Sequence, residues 1–160
     1  KTMKIWSRLK KLSIKQLLNL GVVFIQRPLL IRPTLKATSK TMSISQKEFG
    51  SAQHKNGKPN AFRHALWNIL LANVAYTKNE AAATDWAEQV TTLHEKLAPN
   101  APLETVMDLH NNMVGRQFFS ETLDLSEKEL IQFLKEKSSN AKQITKVEDV
   151  ERYPNELVYI

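Results

Sequence analysis

The sequence contains no cysteine, only four glycines and no long apolar run. Without cysteine there are no disulfides, thiolate metal ligands or cysteine nucleophiles. Scarce glycine and short β-branched runs favour helices over sheets. The apolar run at residues 20–25 is far shorter than the about 20 residues that span a bilayer. Gln26-Arg27-Pro28 follows it where a signal peptide has small residues. We therefore expect no transmembrane helix and no cleavable signal.

Acidic residues are almost absent from the first 60 positions, where Glu48 stands alone among many lysines and arginines. This segment holds much of the excess behind the formal net charge of +7. Such a charge suits an anionic membrane surface, a nucleic acid or an acidic partner, and a solvated basic face is the ordinary alternative. Residues 3–20 predict a basic amphipathic helix, which is typical of membrane-surface segments but also of helices that pack on a core.

Helical periodicity continues through most of the chain, and we predict a single all-α domain, a bundle of about six helices. Besides residues 3–20, the predicted helices cover residues 33–49, 61–76, 80–97, 103–119 and 126–137. Their expected ends are Gly50 after the second helix, Asn60 and Asn79 before the third and fourth, and the capping box Ser126–Glu129 before the sixth. The two prolines near residues 27–32 predict an extended linker.

This pattern divides the chain into three parts. Residues 1–32 form the basic helix and linker, residues 33–137 form the helical core, and residues 138–160 form a short extended C-terminal arm. Gly115 lies inside a predicted helix, where glycine costs about 1 kcal/mol relative to alanine. We therefore expect a helix or a ligand to approach closely there.

Three polar clusters lie within the apolar helices of the core. They are Arg63-His64 with Asn68, His94-Glu95, and the group Asp108, His110, Asn111, Asn112 and Arg116. Such groups are costly to bury unless each is paired or bound to a ligand. A structural network that fixes helix register is the alternative to a site. Because the clusters fall on three successive helices, we expect them to converge on one pocket.

The residue types in these clusters indicate acid–base or metal-assisted chemistry. We predict four catalytic and metal-ligating residues: His64, His94, Glu95 and Asp108. This mixed donor set suits Zn, Mn, Fe or Ni. In a metal-free form, one histidine oriented by Glu95 or Asp108 acts as the general base and an asparagine stabilises the oxyanion. The predicted substrate contacts are Arg63, Asn68, His110, Asn111, Asn112 and Arg116.

Known catalytic motifs are mostly absent. No glycine-rich nucleotide loop and no Gly-x-Ser-x-Gly elbow occur, and Ala98 stands where a two-histidine zinc protease would repeat His94. The order His64, His94-Glu95, Asp108 resembles helical phosphohydrolases with a His…His-Asp…Asp pattern, whose divalent metal activates water. Here Glu95 replaces the aspartate, and Asp108 follows sooner than in those enzymes.

The combined motif Asn60–Asn68, His94-Glu95 and Met107–Arg116 resembles an uncharacterised bacterial domain over about residues 32–120. That domain occurs in small stand-alone proteins and at the C-termini of wall-associated or toxin-like proteins. The toxin-like contexts imply a hydrolase acting on envelope lipid or nucleic acid. The resemblance also implies a bacterial protein, which we expect in the cytoplasm or peripherally at the inner membrane.

Taken together, these features predict a metal-assisted hydrolase of a phosphoester or lipid head group, working near a membrane. Two alternatives stay open. One is a non-catalytic helical module that binds a membrane surface or a protein. The other is a nucleic-acid binder or nuclease, which the basic N-terminal segment also suits.

Overall fold

A computed structural model describes residues 25–97 and 100–160. Five α-helices lie wholly within these residues: α1 (Ile31–Phe49), α2 (Lys58–Ala75), α3 (Glu80–Leu97), α4 (Pro102–Gln117) and α5 (Glu127–Ser139). Two short strands, β1 (Lys142–Gln143) and β2 (Val158–Tyr159), pair in parallel. The prediction of one all-α domain with a short extended C-terminal arm is confirmed. The helix predicted over residues 3–20 lies outside the described residues.

Helix α2 is the centre of the bundle and packs against all four other helices. Most of its side chains are buried, so it is an interior helix and not a surface one. Four of its large apolar side chains are completely buried: Phe62, Leu66, Ile69 and Leu71. None of the helices in the described residues combines the length and apolarity needed to cross a membrane.

Helices α2 and α4 approach each other at Gly115. A methyl group on Gly115 would lie 2.6 Å from the Cα atom of Ala65 and 3.0 Å from its carbonyl oxygen. The close approach expected at this glycine is therefore present, and the neighbour is a helix backbone. It places Asn112 and Asp108, which lie one and two turns before Gly115, against the polar side of α2.

Several helix ends follow the local sequence signals. Gly50 ends α1 with a φ of 56°, a conformation that favours glycine. The backbone N–H of Ala82 donates to the side chain of Asn79 at 3.0 Å, and Ser126 and Glu129 form the expected capping box before α5. These signals depend only on near neighbours in the chain.

Two local predictions were wrong. Asn60 does not cap α2, because the helix already begins at Lys58 with Gly57 as its N-cap, and Asn60 is buried inside the helix. Residues 27–32 are not extended: Pro28–Leu30 form a 3-10 turn and α1 begins at Ile31. Proline is tolerated in a first helical turn because its missing N–H would have no partner there.

The C-terminal arm is held by Asn111 of α4. The Asn111 amide group accepts a hydrogen bond from the N–H of Val158 and donates one to the carbonyl oxygen of the same residue, both at 2.9 Å. In the β1–β2 pair, the N–H groups of Lys142 and Ile144 donate to the carbonyl oxygens of the two residues that flank Val158. Asn111 thus takes the place of a further strand on the other edge of β2.

We expect Asn111→Ala to lower the free energy of unfolding by about 2–4 kcal/mol, because both backbone groups of Val158 would lose their buried partner. At this chain length the melting temperature would fall by roughly 6–12 °C. Thermal unfolding with Asn73→Ala, an exposed asparagine of α2, as the control checks this. Equal melting temperatures for the two variants would contradict the role given to Asn111.

Candidate functional site

Asn112 joins the polar side chains of α2 and α4. Its Oδ1 atom lies 3.0 Å from Nδ1 of His64 and accepts a hydrogen bond of 2.7 Å from Nδ2 of Asn68. All three side chains are buried, as are Glu95 on α3 and Asp108 on α4. The structure therefore brings five of the predicted site residues into one region between three helices.

The hydrogen bonds determine the protonation of His64. Asn68 Nδ2 also donates to the His64 carbonyl oxygen, which orients both amide groups so that His64 Nδ1 faces an oxygen. Because an oxygen only accepts, Nδ1 carries the hydrogen. Nε2 lies 3.0 Å from Nη2 of Arg63, which only donates, so Nε2 carries the lone pair.

Electrostatics agree with this neutral imidazole. Burial and, second, the positive charge of Arg63 lower the pKa of His64 to about 3. The hydrogen bond to Asn112 acts in the opposite direction and is outweighed. His64 is therefore uncharged at neutral pH, with a lone pair on Nε2.

Asp108 lies beside that lone pair, with Oδ1 3.2 Å from His64 Nε2. Burial raises the pKa of Asp108 to about 6, against the lowering effects of Arg63 and of the hydrogen bond from Asn100. Asn100 Nδ2 donates to Oδ2 at 3.3 Å, and Asn60 Nδ2 donates to Oδ1 at 3.5 Å. Because Nε2 carries no hydrogen, it can only accept, and its contact with Asp108 is a hydrogen bond only when Asp108 is protonated. That hydrogen bond also favours the neutral form of Asp108.

Glu95 is the second buried carboxyl group. Burial and, second, the negative charge of Asp108 raise the pKa of Glu95 to about 7, although Asn112 and Arg63 lower it. Glu95 Oε1 and Asn112 Nδ2 each lack a partner within hydrogen-bonding geometry among the described residues. The Asn112 amide lies near enough to lower the pKa of Glu95, but it leaves the Oε1 atom of Glu95 without a hydrogen bond.

The two arginines differ in how firmly they are held. Arg63 donates to the carbonyl oxygen of Gln53 at 2.7 Å and to Asn60 Oδ1 at 2.9 Å, in addition to its contact with His64. Arg63 therefore orients the site, with both of its terminal nitrogens already engaged. Arg116 donates to Asn68 at 3.3 Å, and its other terminal nitrogen lies 3.6 Å from the exposed carboxylate of Glu88. Such a weak surface pair exchanges readily for an anionic ligand.

Three predicted site residues lie elsewhere. His94 is exposed, and its ring meets the Trp67 ring edge-on with the centroids 5.1 Å apart. It is at the rim, where its charge lowers the pKa of Asp108. His110 contacts the carbonyl oxygen of Glu156 at 2.9 Å, and Asn111 binds the C-terminal arm. Adjacent helical residues lie about 100° apart, so Asn111 faces the arm while Asn112 faces His64.

The four predicted metal ligands do not form a coordination sphere in this arrangement. Nδ1 of His64 faces Asn112, Nε2 faces the Arg63 guanidinium, and His94 is exposed at the rim. Within residues 25–97 and 100–160, no three histidine or carboxylate side chains are grouped to hold a metal ion. A metal on Nε2 would have to displace a positively charged group, so we derive no chemical step through a metal.

Sequence reasoning missed three contributors to the site. Asn60 lies one turn before His64, so helical spacing placed it on the same face, although it was assigned to a cap. Thr91 lies one turn before Glu95 and its hydroxyl donates to Asn68 Oδ1 at 3.4 Å. Asn100 follows α3 in the turn before α4, where no periodic signal exists to identify it.

The family comparison names no activity. A family model described as Domain of unknown function (DUF6973) matches residues 21–142. The chain belongs to this family. The match confirms an uncharacterised domain and extends beyond the predicted residues 32–120 on both sides. Searches of curated proteins and of solved structures give no match. Any functional inference for this DUF6973 chain therefore rests on the site itself.

Proposed function

We propose that the chain is a hydrolase in which Glu95 and Asp108 act as an acid–base pair. The observation that carries the proposal is a pair of buried carboxyl groups on separate helices, both with pKa values raised toward neutrality. Groups of this kind are concentrated at catalytic sites. A purely structural network would satisfy its members, whereas Glu95 Oε1 and Asn112 Nδ2 are buried without partners among the described residues.

The pKa values assign the two roles. Between about pH 6 and about pH 7, Asp108 is mainly the carboxylate and Glu95 is mainly protonated. Asp108 takes a proton from water while the water oxygen attacks the substrate. The bond to the leaving oxygen breaks, and Glu95 gives its proton to that oxygen, so one water is consumed and no charge is gained. The side chains of Asn60 and Asn100 hold the Asp108 carboxylate, because their Nδ2 atoms donate to it at 3.5 Å and 3.3 Å.

We propose a phosphoester or lipid head group as the substrate. Arg63 is close enough to interact electrostatically with both carboxyl groups, and Arg116 contacts Asn68 of the same buried cluster. Arginine favours phosphate oxygens because its planar fork of donors matches them. Arg116 is the better substrate contact, since among the described residues its outer nitrogen is paired only with the exposed Glu88.

The test is hydrolysis of p-nitrophenyl phosphate, bis-p-nitrophenyl phosphate and p-nitrophenyl phosphorylcholine across about pH 4 to about pH 9, with and without EDTA. We expect kcat/KM for at least one substrate to rise through about pH 6, as Asp108 ionises, and to fall through about pH 7, as Glu95 loses its proton. We expect EDTA to leave the rate unchanged. No turnover of any of the three, or a rate abolished by EDTA and restored by a divalent metal, would contradict this mechanism.

A further inference from the structure

We propose that the outer surface of α1, together with residues 25–30 before it, binds an anionic lipid bilayer. We define this lipid-binding surface by four apolar residues, Ile25, Leu29, Leu35 and Met42, and by two cations between them, Arg32 and Lys36. The inference does not depend on the proposed hydrolysis, because none of these residues belongs to the acid–base site.

The surface is apolar to an unusual degree for exposed residues. The exposed fractions are 78% for Ile25, 88% for Leu29, 60% for Leu35 and 38% for Met42. Only two other large apolar side chains in the described residues are comparably exposed, Leu109 and Val147, at 39% each. Scattered exposed leucines are normal, but their concentration in one short segment marks an interaction surface.

The charge of the surface is of one sign. No acidic residue occurs between Ile25 and Lys47. Lys40 is paired with Glu127 on α5, but Arg32, Lys36 and Lys47 have no acidic partner among the residues that the structure describes. Cations flanking a row of apolar side chains complement a bilayer with anionic head groups, each near-surface cation adding about 1 kcal/mol.

The helix geometry places Leu35, Met42 and the neighbouring cations on the outer side of α1. Leu35 and Met42 are seven residues apart, so they lie on one edge of the helix two turns apart. The buried residues Thr34, Thr41 and Ser45 lie on the side that faces the bundle. The remaining outer side carries Arg32 and Lys36. Because these cations lie next to Leu35 and Met42, a bilayer can contact both kinds of residue at the same time.

The chemistry favours a bilayer over a nucleic acid. The four apolar side chains of the lipid-binding surface are aliphatic or thioether groups, which do not provide the aromatic stacking platforms of single-strand binders. Leucine, isoleucine and methionine instead gain free energy by entering the boundary of the acyl chains. The surface also adjoins the rim of the buried site, because Thr38 of α1 accepts a 2.9 Å hydrogen bond from Trp67, which contacts His94.

The experiment is cosedimentation of the full chain with vesicles of phosphatidylcholine alone and of phosphatidylcholine with about 30% phosphatidylglycerol. We expect binding to the anionic vesicles and at least a tenfold lower partition constant on the neutral ones. The double variant Leu29→Gln/Leu35→Gln should lower the partition constant on anionic vesicles by about tenfold or more, because two anchoring side chains become polar. Leu109→Gln, an exposed leucine on α4, is the matched control and should bind as the unchanged chain does.

Two results would overturn the inference. One is equal binding of the double variant and the unchanged chain, which would place any lipid contact outside the defined surface. The other is retention on duplex or single-stranded DNA without binding to anionic vesicles. All substituted residues are exposed, so unchanged melting temperatures are expected and confirm that altered binding does not arise from unfolding.

Discussion

Replacing Glu95 by glutamine, or Asp108 by asparagine, is expected to lower kcat/KM by about 10²–10⁴-fold, the usual contribution of a general acid or base. Each change keeps the shape of the side chain, but an amide can neither donate the proton that Glu95 gives nor accept the proton that Asp108 takes. The fold should persist, because an amide at either position avoids burying a negative charge. Steady-state kinetics on the most reactive phosphoester measure the effect, with circular dichroism to verify folding.

The pH profiles distinguish a catalytic loss from a general disturbance of the site. The residual activity of Glu95→Gln should lose the decline above about pH 7, and that of Asp108→Asn should lose the rise through about pH 6. Glu80→Gln, an exposed carboxylate in the first turn of α3, is the control and should keep the full rate and both limbs. Variants at Glu95 and Asp108 that retain the full rate would leave the carboxyl pair without a catalytic role.

Replacing Gly115 by alanine is expected to destabilise the fold by about 3 kcal/mol or more. The added methyl group would lie 2.6 Å from Ala65 Cα, and both the contact and its neighbours are backbone atoms that cannot move aside as a side chain would. Helices α2 and α4 would have to separate, and well-packed interiors resist such added volume. The melting temperature should fall by roughly 10 °C at this chain length.

Gly57→Ala is the matched control for that measurement. A methyl group there would meet only the Pro59 side chain, at an ordinary distance of 3.7 Å, and the φ of −93° suits alanine. We expect a cost below about 1 kcal/mol, from the weaker N-cap. If Gly115→Ala melts within a degree or two of Gly57→Ala, then α2 and α4 are not packed this closely at Gly115.

The fold was largely accessible from the sequence because its signals are local. Apolar spacing identified the helices, and Gly50, Asn79 and Ser126 marked ends that depend on neighbouring backbone groups. The failures came where one signal had two physical meanings. Asn60 is a good cap in isolation, yet burial beside Asp108 outweighs that preference. Pro33 breaks a helix from within but fits a first turn, so α1 begins earlier than expected.

The site was accessible only in part. Polar residues within apolar helices pointed to His64, Asn68, Glu95, Asp108 and Asn112, which the structure gathers between α2, α3 and α4. The same signal marked His110 and Asn111, because a polar residue that binds the C-terminal arm looks identical in sequence. Which polar atoms meet depends on the helix rotations set by contacts such as Gly115 with Ala65, and no local pattern encodes those.

The raised pKa values of Glu95 and Asp108 are the central physical claim, and titration measures them directly. Carboxyl carbon chemical shifts can be followed by NMR across about pH 3 to about pH 9, with assignments from Glu95→Gln and Asp108→Asn. We expect midpoints of about 7 for Glu95 and about 6 for Asp108. Midpoints near the ordinary values of about 4 for both groups would contradict the buried acid–base pair and the hydrolase mechanism built on it.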